Sequence, residues 1–165
     1  MRPVEDREGR RPGRRSVAWV RAAVILSGVL LVDRLTKHAV ESSIVRGEER
    51  QLLPGVHLVN TRNRGVAFGL LPNSQTAVTI VIIMALLVLL LYFARHSSKR
   101  LIWLPTGMLV GGALGNITDR IRAGSVTDFI KLPLGWPPFN LADASITLGI
   151  LILLLLVDHS RRADP

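Results

Sequence analysis

Cysteine is absent from all 165 residues, which excludes a disulfide framework, a thiolate metal site and lipidation of the chain itself on Cys. The four histidines, His38, His57, His96 and His159, are scattered without ligand spacing, so no metal site is expected. No HExxH, GxSxG or Ser-xx-Lys pattern stands in a suitable context, which removes zinc-helix and serine-nucleophile chemistry. The glycine-rich Gly111 to Gly115 lies inside an apolar run rather than at a strand-to-helix turn, so it is no phosphate loop. No cofactor is therefore expected, and no internal repeat or low-complexity tract is visible.

Charge is missing where it matters most. Thr76 to Ala94, TAVTIVIIMALLVLLLYFA, is nineteen residues without a charge, close to the ~20 that cross a ~30 Å hydrocarbon core as a helix. A water-soluble helix has no use for apolarity on every face. Leu101 to Thr118 is a second uncharged run, and Ala144 to Val157 becomes long enough if it begins near Asn140. Ser16 to Val32 is interrupted only by Arg21, whose long stem reaches headgroups from a helix end. No small-x-small cleavage site follows this first run, and LVDRLTKHAV continues the helical pattern, so it reads as a retained anchor.

These runs predict an all-α membrane protein with four transmembrane helices at about 16–37, 76–94, 101–120 and 140–158. Residues 1–15, rich in Arg, Pro, Gly and Glu, are expected to be a disordered tail. Residues 16–158 then form one membrane domain, and 159–165 form a second short tail. An outer β segment is expected at 39–75, where GVHLVN and GVAFGLL flank the polar TRNR as a hairpin turn. The net charge of +9 would suit nucleic acid, but its distribution argues for membrane topology instead. Arginines cluster before the first run, Arg95, Lys99 and Arg100 lie between runs two and three, and Arg161 and Arg162 follow the last. Four spans put those segments on one side, which the positive-inside rule makes cytoplasmic. Both termini are then cytoplasmic, and no nucleic-acid partner is expected.

Three clusters carry candidate chemistry. On the third run, Gly107, Gly111 and Gly115 form a small-xxx-small stripe for helix packing. Gly112, Asn116, Asp119 and Arg120 share an adjoining helical face. Asn116 as helix glue, with Asp119 paired to Arg120 or Arg122, is a purely structural account of that face. Strand-like alternation through SVTDFIKL leaves Asp128 as the lone charge on an apolar face, where desolvation raises a carboxyl pKa; an exposed loop Asp is the alternative. In FNLAD, Asn140 and Asp143 face the same way, as an N-cap with a first-turn acid would. Two such acids side by side cannot both ionise cheaply, and one shared proton supplies a base for water and an acid for the leaving group.

The blocks DRLTK (Asp33 to Lys37), NRGVAFG (Asn63 to Gly69), GGALGNITDRIRAGSVTDFI and FNLAD resemble, in order and spacing, the lipoprotein signal peptidase family, the type II signal peptidases of bacteria. The resemblance covers nearly everything from Val17 to Val157. It implies an inner-membrane aspartic endopeptidase that removes the signal peptide of diacylglyceryl-modified prolipoproteins immediately before the lipidated Cys. By motif, the catalytic pair is Asp128 and Asp143, with Asn63, Asn116, Arg120 and Asn140 lining the groove or supporting the pair. Asp33 and Lys37 match the motif ending span one, where an ion pair is the simplest role, and Asp119 is the non-catalytic acid, expected to hold Arg120 or the local helix end. Gly112 and Gly115 fall in the structural part of the motif. Implied with these are membrane lipids as surroundings, a globomycin-type inhibitor, a monomer, and an active site near the extracytoplasmic face. Arg34 departs from the family's usual Gln, Val66 from Ala, and Thr118 from an apolar residue. A small transporter or assembly subunit, using membrane-edge carboxylates as relays or glue, is the competing class.

Overall fold

The computed structural model describes residues 13–64, 75–99 and 101–162. Among the described residues four helices and three strands follow one another: α1 Arg14–Ser43, β1 Glu49–Leu53, β2 Val56–Asn63, α2 Gln75–His96, α3 Trp103–Ala123, β3 Val126–Lys131 and α4 Leu141–Arg162. Among the described residues, three helices are long and apolar enough to cross a membrane: α1, residues 79–96 of α2 and residues 141–158 of α4. Their outward side chains are large and apolar, among them Val81, Val88, Leu154 and Leu155, a surface that lipid covers and water does not.

The remaining helix, α3, stands apart for a physical reason. It is the hub of the bundle, packed against α1, α2 and α4, and thirteen of its residues are buried. A helix wrapped by protein needs small residues for close approach more than it needs long apolar ones. A methyl group on Gly107 would lie 2.6 Å from the Ala22 carbonyl oxygen, and one on Gly111 would lie 2.9 Å from that of Leu26, both on α1. On the other flank, a methyl on Gly112 would lie 2.6 Å from the Ala142 carbonyl oxygen of α4. Gly124 ends α3 in the left-handed region at φ 66°, its N–H returning to the Arg120 carbonyl.

The strands form one antiparallel sheet in the order β1-β2-β3. Here the structure corrects the expected hairpin. Thr61, Arg62 and Asn63 of TRNR lie inside β2, and the turn sits at Gly55, φ 79°, between β1 and β2. The proposed second strand from Gly65 lies outside the described residues. The third strand comes instead from the α3–α4 connection, so the sheet is not confined to the segment between spans one and two. Sequence patterning cannot reveal a pairing across more than sixty residues. Two helix limits also move. Arg14 and Arg15 already belong to α1, which runs on to Ser43, and α4 reaches Arg162, so both helices extend beyond the apolar runs.

Candidate active site

The sheet and the ends of three helices meet at one end of the bundle. β3 lies antiparallel beside β2, with Thr61 opposite Asp128 and Asn63 opposite Val126. Asn63 is thus the diagonal neighbour of Asp128, within reach of its side chain. Its Nδ2 donates to Asp128 Oδ2 at 3.0 Å. The other oxygen, Oδ1, accepts from Asn140 Nδ2 at 2.7 Å. Asp128 is 2% exposed. The first four residues of β3 are buried on both faces, so the lone charge on an apolar face is not what forms: Asp128 sits among carboxamides.

Asn140 and Asp143 form a reciprocal cap at the start of α4. The Asp143 N–H donates to Asn140 Oδ1 at 2.9 Å, and the Asn140 N–H donates to Asp143 Oδ2 at 3.2 Å, which satisfies donors that a helix start leaves free. The capping and catalytic readings of FNLAD are therefore compatible. The cap turns Asn140 Nδ2 toward Asp128 while it holds Asp143 in place. The second oxygen of Asp143, Oδ1, accepts from Asn116 Nδ2 of α3 at 2.7 Å. One fully buried residue, Asn140, thus bonds both carboxylates.

Burial, and after it the negative charge of Asp143, push the Asp128 carboxyl up to about 6 from an ordinary 3.8. The amide donors Asn63 and Asn140 pull the other way and lose. A proton is therefore held on Asp128 well above the usual carboxylate range. Arg120, 8% exposed, interacts electrostatically with Asp143, Asp128 and Asp119, and its NH1 donates to the Asn116 carbonyl at 3.2 Å.

Behind the pair lies a buried ionic cluster. Lys37 Nζ contacts Asp33 Oδ2 at 2.7 Å, Asp119 Oδ2 at 2.7 Å and Asn116 Oδ1 at 3.0 Å. Asp33 Oδ1 accepts the backbone N–H of Ala142 at 3.0 Å, tying α1 to the first turn of α4. Gly115 makes room for that contact, since a methyl there would meet Asp33 Oδ2 at 2.8 Å. Asp119 does act on Arg120 electrostatically, but it is also tied to α1. Its ion-pair contacts are Lys37 at 2.7 Å and Arg34 at 2.9 Å, because its carboxylate faces α1. Arg34 entered the sequence reading only as a departure from the family pattern, and its ion pair has no sequence signature. The same is true of Glu41, Arg62 and Thr127. The Thr127 hydroxyl donates to Glu41 and accepts from Arg62 NH1 at 2.6 Å, while Arg62 NH2 lies 3.0 Å from the same Glu41 oxygen. These three pin β3 and β2 to the end of α1.

Asp128, Asp143, Asn63, Asn116, Asn140, Asp33, Lys37 and Asp119 all fall into this one network, with Arg120 beside it, while Gly112 and Gly115 give it room. Fold and site together define a helical membrane protein with two carboxylates clamped at one end of its bundle. Residues 25–158 match the family of signal peptidase (SPase) II peptidases. The chain belongs to that family. It is similar to the lipoprotein signal peptidases of Syntrophomonas wolfei (42% identity, 78% of this chain and 87% of that one) and Burkholderia thailandensis (40%, 87% and 88%). That of Halothermothrix orenii is 35% identical over 80% of this chain and 91% of its own. Among solved structures, a bacterial membrane enzyme determined by the in meso method superimposes with a TM-score of 0.81 at 27% identity, over 87% of this chain and 91% of the other.

Proposed function

We propose that this chain hydrolyses the signal peptide of diacylglyceryl-modified prolipoproteins immediately before the lipidated Cys, as an aspartic endopeptidase whose catalytic pair is Asp128 and Asp143. The observation that carries the reading is the joint hold on these two acids. They come from different elements, both are bonded by Asn140, and burial together with the charge of Asp143 favours a proton on Asp128. Membership of a peptidase family sets the transporter and assembly-subunit reading aside.

The chemistry follows from the shared proton. Asp143, ionised, takes a proton from water as it attacks the scissile carbonyl. Asp128, protonated, polarises that carbonyl, and a proton then passes to the departing amine, with no acyl-enzyme. The two Asn116 and Asn140 donors on Asp143 fix its direction without neutralising it.

In this reading α3 is a fourth span. It has 21 residues, about 31 Å at 1.5 Å per residue, and its neighbours α1 and α4 flank it as spans. The Arg-rich segments before α1 and after α2 then face the cytoplasm of a bacterial inner membrane. The sheet and the pair lie at the opposite, extracytoplasmic surface, where acyl chains stay in lipid while the peptide reaches water. The test is cleavage of a diacylglyceryl prolipoprotein in detergent by the parent, Asp128→Asn and Asp143→Asn, with product mass locating the cut. Either variant that folds and still turns over removes that Asp from the catalytic role.

A further inference from the structure

Lys37 is 2% exposed; it lies in ion-pair contact with two carboxylates, Asp33 and Asp119, and donates hydrogen bonds to Asp33 and to a neutral carboxamide, Asn116. Charge alone does not call for the third contact. The buried cluster of Asp33, Asp119, Lys37 and Arg34 holds two acids and two bases and is balanced without Asn116. Nor is stability the reason for keeping it, since apolar residues of similar volume commonly replace buried ion pairs without loss.

The third contact settles the direction of an amide. An ammonium can only donate, so the Asn116 group facing Lys37 must be its carbonyl, Oδ1. The opposite end, Nδ2, is then forced toward Asp143 Oδ1, 2.7 Å away. Asn140 is locked by the same logic, its Oδ1 facing a backbone N–H and its Nδ2 facing Asp128. Asn140 Nδ2 also reaches Asn116 Oδ1 at 3.3 Å, but that bond is long and shared with Asp128, so Lys37 is the unshared donor that fixes Asn116.

We propose that Lys37 is a positioning residue for the reaction: by holding Asn116 Oδ1, it delivers the Asn116 N–H to Asp143 and keeps that carboxylate ionised and aimed. Without Lys37, the Asn116 amide is free to turn over and set its oxygen against Asp143 Oδ1. Two acceptors then face each other, a clash that a proton on Asp143 relieves. Losing Lys37 therefore moves the acid limb of the pH–rate profile upward; the loss of its positive charge acts in the same direction, and Asn116→Ala, which keeps that charge, isolates the part due to the amide. The other charged groups facing Asp143 stay as they are: Arg120 from α3 and Asp128 from β3, with Asp119 and Asp33 behind Asn116.

This inference rests on the catalytic reading of Asp143, and the experiment separates the two. Removing Lys37 alone strands a buried charge, so the informative variant is Lys37→Met combined with Asp33→Asn. It keeps the cluster neutral and leaves an oxygen for the Ala142 N–H. Its reference is Asp33→Asn alone, and thermal unfolding in detergent checks that both fold. Against that reference, the double variant is expected to lose about 30- to 100-fold in kcat, with KM changed less than about threefold and the acid limb raised by about one pH unit. Asn116→Ala is expected to do the same on its own. Adding it to the double variant should cost nothing further, because residues acting in series are not additive. Multiplying effects, a rise in KM at constant kcat, or an unmoved pH profile would overturn the role of Lys37. If Asp143→Asn itself remains active, the catalytic reading fails first.

Discussion

The two halves of α3 solve opposite problems. Toward its start, Gly107 and Gly111 let the α1 backbone come within contact of α3, and Trp19 of α1 meets Phe93 of α2 edge-on at 4.6 Å between ring centroids. No acid lies in that half, and the stabilising force is close packing. Toward its end, Asn116, Asp119 and Arg120 gather charge from α1, β3 and α4. Buried charges rarely add net stability, so the second half is organised for orientation. The comparison predicts that damage in the first half costs folding, whereas damage in the second costs turnover.

The largest expected effect breaks the second half without touching the first. Asp143→Asn should reduce cleavage by at least about 10³-fold, on the scale of removing a principal catalytic group, while the unfolding temperature stays near that of the parent. Asp128→Asn should be as inactive, yet more stable than the parent at pH 8. Its carboxyl is raised from 3.8 to about 6, so the folded state binds the proton more tightly than the unfolded state. Parent stability therefore falls as pH rises from about 4 to about 6 and levels off above, by up to about 3 kcal/mol at 1.36 kcal/mol per pH unit. Unfolding of parent and variant measured across pH 4 to 8 should show the gap opening over that window. A gap that opens toward acid instead would reverse the assigned direction. Turnover should decline as pH rises through about 6, where Asp128 of the folded protein loses its proton, which the cleavage rate against pH checks.

Next comes the packed half. Gly107→Ala places a methyl 2.6 Å from a backbone oxygen and 2.8 Å from Ile25 Cβ, and neither neighbour is the free end of a flexible side chain. A loss of about 1–3 kcal/mol is expected, with cleavage per folded molecule unchanged. Gly28→Ala is the internal contrast. It lies on α1 with nothing within 4 Å of the added methyl, so the better helix former should gain about 0.5–1 kcal/mol. Unfolding of the pair in one detergent tests both signs. Equal losses at the two positions would mean that the glycines matter for backbone flexibility rather than for approach.

How much of this was legible depended on whether the signal was local. The helices were, because uncharged runs and their flanking breakers are contiguous in the chain. So was the FNLAD cap, a three-residue spacing on one helix. The acids Asp128 and Asp143 stood out as odd charges beside apolar runs. What the chain order does not encode is strand pairing across the molecule. β3 joining β2, the Asn63 to Asp128 diagonal and the turn at Gly55 rather than TRNR all depend on register that tertiary packing decides. The ion pairs of Asp119 were hidden for a related reason. Spacing offered Arg120 and Arg122 on its own helix, whereas partners 82 and 85 residues away, Lys37 and Arg34, were nearer in space.

The smallest expected effect probes the border between sheet and helix. Thr127 is 1% exposed and stands next to Asp128 on β3, with its hydroxyl tied to Glu41 and Arg62. Thr127→Val keeps the shape and removes the hydroxyl. The ion pair between Glu41 and Arg62 survives at 3.0 Å, and the Thr127 carbonyl still receives Asn140 Nδ2 at 3.3 Å. Net hydrogen bonds of this kind contribute about 1 kcal/mol, so stability should fall by about that much. Turnover should fall no more than about fivefold, because the bonds that orient Asp128 come from Asn63 and Asn140 and remain intact. Steady-state kinetics of Thr127→Val beside Asn140→Ala provide the measurement. A loss from the hydroxyl as large as that from the carboxamide would place the strap through Glu41 on a par with the clamp around the two acids, and would erase the line drawn between holding the sheet and aiming the carboxylate.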